Sequence, residues 1–215
     1  NWTRKPNATG PFRLKEWQIG QRITLEPNQN YYLDPKPALA KVTYVLSGGS
    51  PLVMYENGEI DVTGVGLNDI ERVRDPNDPL NKEYQEAPSL DVTYIGFNTQ
   101  DKPFNDPKLR QALNMAVDRD FLASEFLNKL VLPANGVLPP GIPGYNPDLQ
   151  GAKFDPQAAA RLLDEAGGAK LLDGVKLLTS GQGAAPSNIL QAVSAMWKQN
   201  LGVDISIEQE DFGLF

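Results

Sequence analysis

An α/β fold is what this sequence predicts, on three observations. Short apolar runs of strand length recur between amphipathic helical stretches along the whole chain, instead of being gathered at one end. Helix starts repeat one signature, Ser50-Pro51, Asp106-Pro107 and Asp155-Pro156, in which the first side chain caps and proline's missing N–H costs nothing. Helix ends repeat another, at Asn57-Gly58, Gly167-Gly168 and Gly202, where a left-handed residue closes the last turn.

Taken in order, Asn7 to Glu26 predicts a hairpin: Phe12, Leu14 and Trp17 alternate imperfectly on one arm, Ile23 and Leu25 on the other, around Ile19-Gly20-Gln21. Asn28 to Pro37 is a polar loop carrying Tyr31 and Tyr32, and Val42, Tyr44 and Leu46 then give a period-two strand. Ser50 caps a short helix with Leu52, Val53 and Tyr55 inward, closed by Asn57-Gly58 in the left-handed conformation both favour. Ile60-Asp61-Val62 predicts a short strand, Gly64-Val65-Gly66 breaks it, and a second short helix runs from Asn68 to Val73. Asp75 to Pro88, with its three prolines, is a surface connection.

The stretch from Asp91 to Arg119 divides the chain. Val92, Tyr94, Ile95 and Phe97 predict a buried strand. Asp101-Lys102-Pro103 ends it, and Asp106 caps a helix whose apolar face is Leu109, Ala112, Leu113, Ala116 and Val117. Asp118-Arg119-Asp120 caps another helix through about Lys129, with Phe121, Leu122, Phe126 and Leu127 inward. Pro133 to Pro147 is too rich in proline and glycine for a regular element, yet its apolar residues argue that it packs. A helix from Asp155-Pro156 follows, with Ala159, Leu162, Leu163 and Ala166 inward; then a strand at Val175–Leu178. Ala185-Pro186-Ser187 leads into a longer helix with Ile189, Leu190, Val193, Trp197 and Leu201 at helical spacing, and Val203, Ile205 and Ile207 alternate as the last strand.

Composition removes several chemistries. The 215 residues contain no cysteine and no histidine. Disulfides, thiolate nucleophiles, Ser-His-Asp triads and imidazole metal sites are therefore excluded within this chain. The net charge is -7 with no basic run, which argues against nucleic acid or an anionic membrane as partner. No apolar run approaches the ~18 residues of a membrane span. The first residues read like the middle of a polypeptide and the end at Asp211-Phe212-Gly213-Leu214-Phe215 is abrupt; the expectation is an excised fragment.

No motif nominates a reaction. Gly64-Val65-Gly66 and Gly181-Gln182-Gly183 fail to complete a dinucleotide or phosphate loop, because Asp69 and Pro186 stand where the third glycine belongs. They read better as turns at strand ends facing a cleft. Asp69-Ile70-Glu71, Asp118-Arg119-Asp120 and Glu208-Gln209-Glu210-Asp211 lack the alternating ligands and central glycine of a calcium loop, and read as caps and exposed faces. Trp197 reads as core. Tyr94 is the aromatic that combines a buried ring with a hydroxyl able to reach a cleft. Asn1-Trp2-Thr3 and Asn7-Ala8-Thr9 match the glycosylation triplet, a short pattern that arises readily by chance.

In their order, several blocks resemble one family. Ala8-Thr9-Gly10-Pro11-Phe12-Arg13-Leu14, Asn57-Gly58-Glu59-Ile60-Asp61-Val62, Gly96-Phe97-Asn98-Thr99, Pro103 to Leu113 and Val117-Asp118-Arg119 are similar to the oligopeptide/dipeptide/nickel class of extracytoplasmic solute-binding proteins of ABC importers. Leu138-Pro139-Pro140, Ala159 to Gly167 and Trp197 to Val203 continue the match. The block from Phe104 to Arg119 is the most specific of these.

The resemblance implies a periplasmic-binding-protein-like fold of type II, here a partial two-lobed α/β structure with mixed sheets flanked by helices. It implies that 1–93 are the returning part of the first lobe, 94–102 the crossing strand and hinge, and 103–215 the beginning of the second lobe. The implied function is capture of a peptide or similar small solute between lobes and its delivery to the membrane permease, without catalysis, metal or cofactor. The implied setting is extracytoplasmic, periplasmic or lipid-anchored at the outer face of the cytoplasmic membrane, in a bacterium or archaeon, as a monomer. A ligand-sensing module of the same fold and a binder of nickel chelates or oligosaccharides are the alternatives. Carried onto this sequence, the ligand-facing positions are Tyr94, Gly96 and Asn98 on the crossing strand, Gly64, Val65 and Gly66 in the first lobe, and Leu138 and Pro139 in the second. Peptide-binding members hold the ligand's α-amino group with an aspartate in a later segment, so Asp211 does not take that role.

Overall fold

The computed structural model describes residues 6–87, 89–181 and 186–211. The Asn1-Trp2-Thr3 triplet, Pro88, Gln182-Gly183 of the second glycine pair, Ala185 and the end from Phe212 lie outside them. The protein divides into two compact units, Asn1–Gly66 and Leu67–Phe215.

The first unit is built on a three-stranded antiparallel sheet, in the order β1 (Phe12–Gln18), β2 (Arg22–Pro27), β3 (Val42–Val45). The predicted hairpin forms with Gln21 N–H donating to Gln18 O at 3.0 Å, and Arg13 and Glu26 face each other across it at 2.8 Å. A bulge at Lys15, between the pairs Leu14–Leu25 and Glu16–Thr24, explains why the alternation of the first arm is imperfect. Asn28 is buried and pins the incoming chain, its amide donating to Ala8 O at 3.1 Å and Gly10 O at 2.9 Å. Helix α1 (Pro51–Glu56) follows; Pro51 opens it, but the Ser50 side chain makes no capping bond. At its other end Asn57 stays right-handed and only Gly58, at φ 72°, takes the left-handed turn.

The second unit carries the core. Helices α2 (Ile70–Arg74), α3 (Pro107–Met115), α4 (Arg119–Phe121), α5 (Pro156–Ala166) and α6 (Asn188–Leu201) accompany a parallel pair, β4 (Lys176–Ser180) and β5 (Ser206–Glu210). The inward faces of α3, α5 and α6 meet in one cluster that includes Leu109, Ala112, Leu113, Ala159, Leu163, Val193, Trp197 and Leu201, joined by Val203 and Ile205. The caps are as the sequence predicts: Asp106 Oδ1 accepts from Lys108 N at 2.8 Å, and Asp155 Oδ1 from Ala158 N at 2.8 Å. Ser187 Oγ accepts from Leu190 N at 3.3 Å. Gly202 closes α6 at φ 68°.

The C-terminal end of α3 shows how tertiary contacts finish a helix. Its last carbonyls have no partner within the helix. The Trp197 indole N–H donates to Leu113 O at 2.8 Å, the Asn200 amide to Ala116 O at 2.8 Å, and Asp155 N–H to Met115 O at 3.0 Å.

Four expectations require correction. Residues 91–98 belong to no strand or helix; a strand assignment needs a paired backbone, and β-branched content alone does not supply one. Ile95 and Phe97 pack partly against the core, whereas Tyr94 is 79% exposed, so its ring is not buried. Ile60–Val62 is likewise unpaired, with Val62 85% exposed. The helix capped by Asp118 passes at once into a π-helical turn, Leu122–Phe126, and stops before Asn128 and Lys129, which are left-handed; Phe121 points outward. In the proline-rich loop Pro139 is buried, but Val137, Leu138 and Tyr145 are exposed, so only part of it packs.

Candidate ligand-binding surface

The expected site residues fall into separate places. Tyr94, Gly96 and Asn98 lie on the segment 91–98, where Ile95 and Phe97 pack against the core and Tyr94 and Gly96 are exposed. Phe97 is fixed against Phe104, with ring centroids 5.1 Å apart, which anchors the segment from beneath. A Cβ added to Gly96 would meet Tyr94 Cε2 at 3.8 Å, an ordinary contact. Glycine there is not enforced by space, and its effect is to leave room beside the Tyr94 ring. Asn98 is engaged locally: its Oδ1 accepts from Gln100 N at 3.1 Å and its Nδ2 donates to Asp101 Oδ2 at 2.6 Å. That Asx turn stiffens the exit of the segment and commits much of the amide.

Leu138 and Pro139 belong to the loop that closes on itself through Gly151 against Asn135 and Gly144 against Leu138. Gly141, at φ 95°, approaches Leu90 Cδ2, so the loop meets the chain just ahead of the segment 91–98. Gly64, Val65 and Gly66 belong to the other unit. A Cβ on either glycine would meet nothing within 4 Å, so this is an open backbone stretch without the close approach a phosphate loop shows. An open depression of 440 Å³ lined by Lys170, Asp173, Gly174 and Asp204 includes none of the expected residues.

Two exposed carboxylates are held low by cationic partners. The Arg74 guanidinium holds the Glu86 carboxyl below its usual range, and Lys108, 2.8 Å away, does the same for Glu165. A general acid needs the opposite direction. Among the described residues no three carboxylates gather as a metal site, and every buried side-chain nitrogen or oxygen has a partner. One polar network escaped the sequence reading: Asn128 Nδ2 donates to Leu67 O at 3.2 Å, while Arg74 donates to Asn128 O at 2.9 Å and pairs with Glu86. The available signal was an asparagine past a helix end, the residue type besides glycine that most readily turns left-handed.

All of residues 1–215 match the profile described as bacterial extracellular solute-binding proteins, family 5, middle part. The chain belongs to this family. Among the family's curated members, the periplasmic oligopeptide-binding protein OppA of Salmonella typhimurium is 31% identical over 223 residues, covering 100% of this chain and 41% of its own length. Family structures agree. The murein tripeptide binding protein MppA of Escherichia coli superposes with a TM-score of 0.79 at 27% identity, over 99% of this chain and 43% of that one. The periplasmic binding protein DppA of Helicobacter pylori, solved with the peptide STSA, gives a TM-score of 0.71 at 27% identity, over 96% of this chain and 39% of that one. The fold is thus the α/β, type II periplasmic-binding fold, and the chain spans less than half the length of these relatives.

Proposed function

We propose that the intact protein is the substrate-binding component of an ABC importer, capturing peptides between two lobes outside the cytoplasm and delivering them to a membrane permease. The observation that carries this is the family match across all 215 residues, with relatives named for oligopeptides, dipeptides and murein tripeptide among those matched. In this reading, residues 1–93 return through the first lobe, 94–102 cross and hinge, and 103–215 begin the second. Tyr94 offers an exposed aromatic face beside the room left by Gly96, suited to a ligand side chain. Gly64, Val65, Gly66, Asn98, Leu138 and Pro139 complete the proposed lining. The protein performs no catalysis; it works as a monomer, and closure around the ligand shifts a pre-existing equilibrium.

The test is native mass spectrometry of the intact protein purified without refolding, followed by thermal melting against pools of di- to pentapeptides. Saturation at about 100 times Kd is expected to add about 2.7 kcal/mol to stability. A co-purified ligand that is not a peptide, together with no shift from any pool, would overturn the reading.

A further inference from the structure

We propose that Arg119 is the positioning residue of the loop that presents Leu138, holding the loop's base shut so that its tip meets ligand already shaped; this rests on the reading above, in which the loop lines the site. Residues 127–155 contain no helix or strand. Loops longer than about 12–15 residues without structure of their own are uncommon in compact domains, and those that occur commonly serve binding. The main-chain bonds within this one include short-range turns: Ile142 N–H on Pro139 O at 3.3 Å, Tyr145 N–H on Ile142 O at 3.0 Å and Leu149 N–H on Asn146 O at 3.3 Å. Such turns shape the tip, but they do not join its two arms.

The arms meet lower down. A Cβ added to Gly151 would lie 3.1 Å from Asn135 Cα, and one added to Gly136 would lie 2.6 Å from Leu149 Cδ2. Residues 135–136 and 149–151 thus form a neck, as in a compact loop whose ends are close. The next residue, Ala152, is where Arg119 takes hold. Arg119 opens α4, after which the loop departs, and its guanidinium reaches the place where the loop returns. Its Nη1 donates to Asn114 Oδ1 at 2.5 Å and its Nη2 to Ala152 O. Because the guanidinium is a rigid planar fork, the bond to α3 fixes the orientation in which the bond to the loop is made.

The second bond is separable from the fold. Helix α5 starts without it, since Asp155 N–H donates to Met115 O and Asp155 Oδ1 accepts from Ala158 N. Ala152 is half-exposed, so water can satisfy its carbonyl once the guanidinium is gone. The effect of Arg119 on this carbonyl therefore falls on the loop. Above the neck, Val137, Leu138 and Tyr145 are exposed over a buried Pro139. A loop held in shape before binding loses less conformational freedom when ligand arrives, which raises affinity without a new contact.

Hydrogen exchange followed by mass spectrometry on the intact protein without ligand compares the parent with Arg119→Ala. Peptides covering 133–152, whose Ile142, Tyr145 and Leu149 amides are bonded, are expected to exchange about tenfold faster, an ordinary effect for one charge-assisted bond. Those from α3, α5 and α6 should keep their protection. Calorimetry with a pool of di- to pentapeptides is expected to show affinity about tenfold lower in Arg119→Ala and partly recovered in Arg119→Lys, which keeps the charge but not the fork. The lysine variant also serves if the alanine variant fails to fold. Exchange that rises equally in loop and helices, or does not rise, overturns the role, as does a loosened loop with unchanged affinity. No heat from the parent overturns the peptide reading instead, and the exchange pattern still decides whether Arg119 holds the loop.

Discussion

Replacing Trp197 by Phe removes the donor that satisfies Leu113 O while leaving an aromatic ring in the core. The indole is 3% exposed and its N–H lies 2.8 Å from that carbonyl, which belongs to the last turn of α3. Leaving a buried carbonyl unpaired costs about 1–3 kcal/mol, and the smaller ring adds about 1 kcal/mol of lost packing. The sum, about 2–4 kcal/mol, corresponds to roughly 30- to 900-fold faster exchange of amides that open with the core. Hydrogen exchange followed by mass spectrometry reads this directly. Peptides from α3, α5 and α6 should lose protection together, while those from β1 and β2, in the other unit, should not change. Loss of less than about threefold, or equal loss in β1 and β2, would refute the idea that this bond ties α3 to α6.

Other substitutions separate stability from binding. Asp106→Ala removes the bond to Lys108 N and should destabilise the second unit by about 1 kcal/mol, read by urea titration of the intact protein. Tyr94→Ala should change stability by less than about 0.5 kcal/mol, since the side chain is 79% exposed, yet weaken peptide binding in calorimetry. Glu165 is held below the usual carboxylate range by its hydrogen bond with Lys108. A lowered folded-state pKa contributes stability above the unfolded value and loses it as pH falls through the folded one. Melting temperature should therefore fall on acidification in the parent and fall less in Glu165→Gln; the pair is solvent-exposed, so the difference is small and disappears at high salt.

Helices of the second unit were legible because cap, proline and apolar spacing agree at each one. Asp106-Pro107 and Asp155-Pro156 announce α3 and α5, and the faces Leu109-Ala112-Leu113 and Ala159-Leu163 lie in the core as the spacing requires. Strands were legible where the segment finds a partner, as in the hairpin of β1 and β2 and in the parallel pair of β4 and β5. At 91–98 the residue types are those of a strand, but pairing is a property of two segments and cannot be read from one. The Asp118 helix misled for a different reason. Nothing in Leu122–Phe126 forbids an α-helix, and the π-helical turn and left-handed Asn128 that replace it are tied to Leu67 and Arg74, far away in the chain. The candidate surface remains a proposal drawn mainly from the resemblance, because solvent-facing Tyr94 and Gly96 leave no periodic trace.

The way α3 ends has a consequence for how the protein is made. Two of its terminal carbonyls wait for donors 84 residues later in the chain, Trp197 and Asn200. At a synthesis rate of about 5–20 residues per second, that delay is about 4–17 s. Throughout it, α3 exists with those carbonyls solvated and its apolar face without α6. The hairpin of the first unit waits for nothing beyond its own turn. The two units therefore mature on different clocks, one set by local closure and the other by elongation.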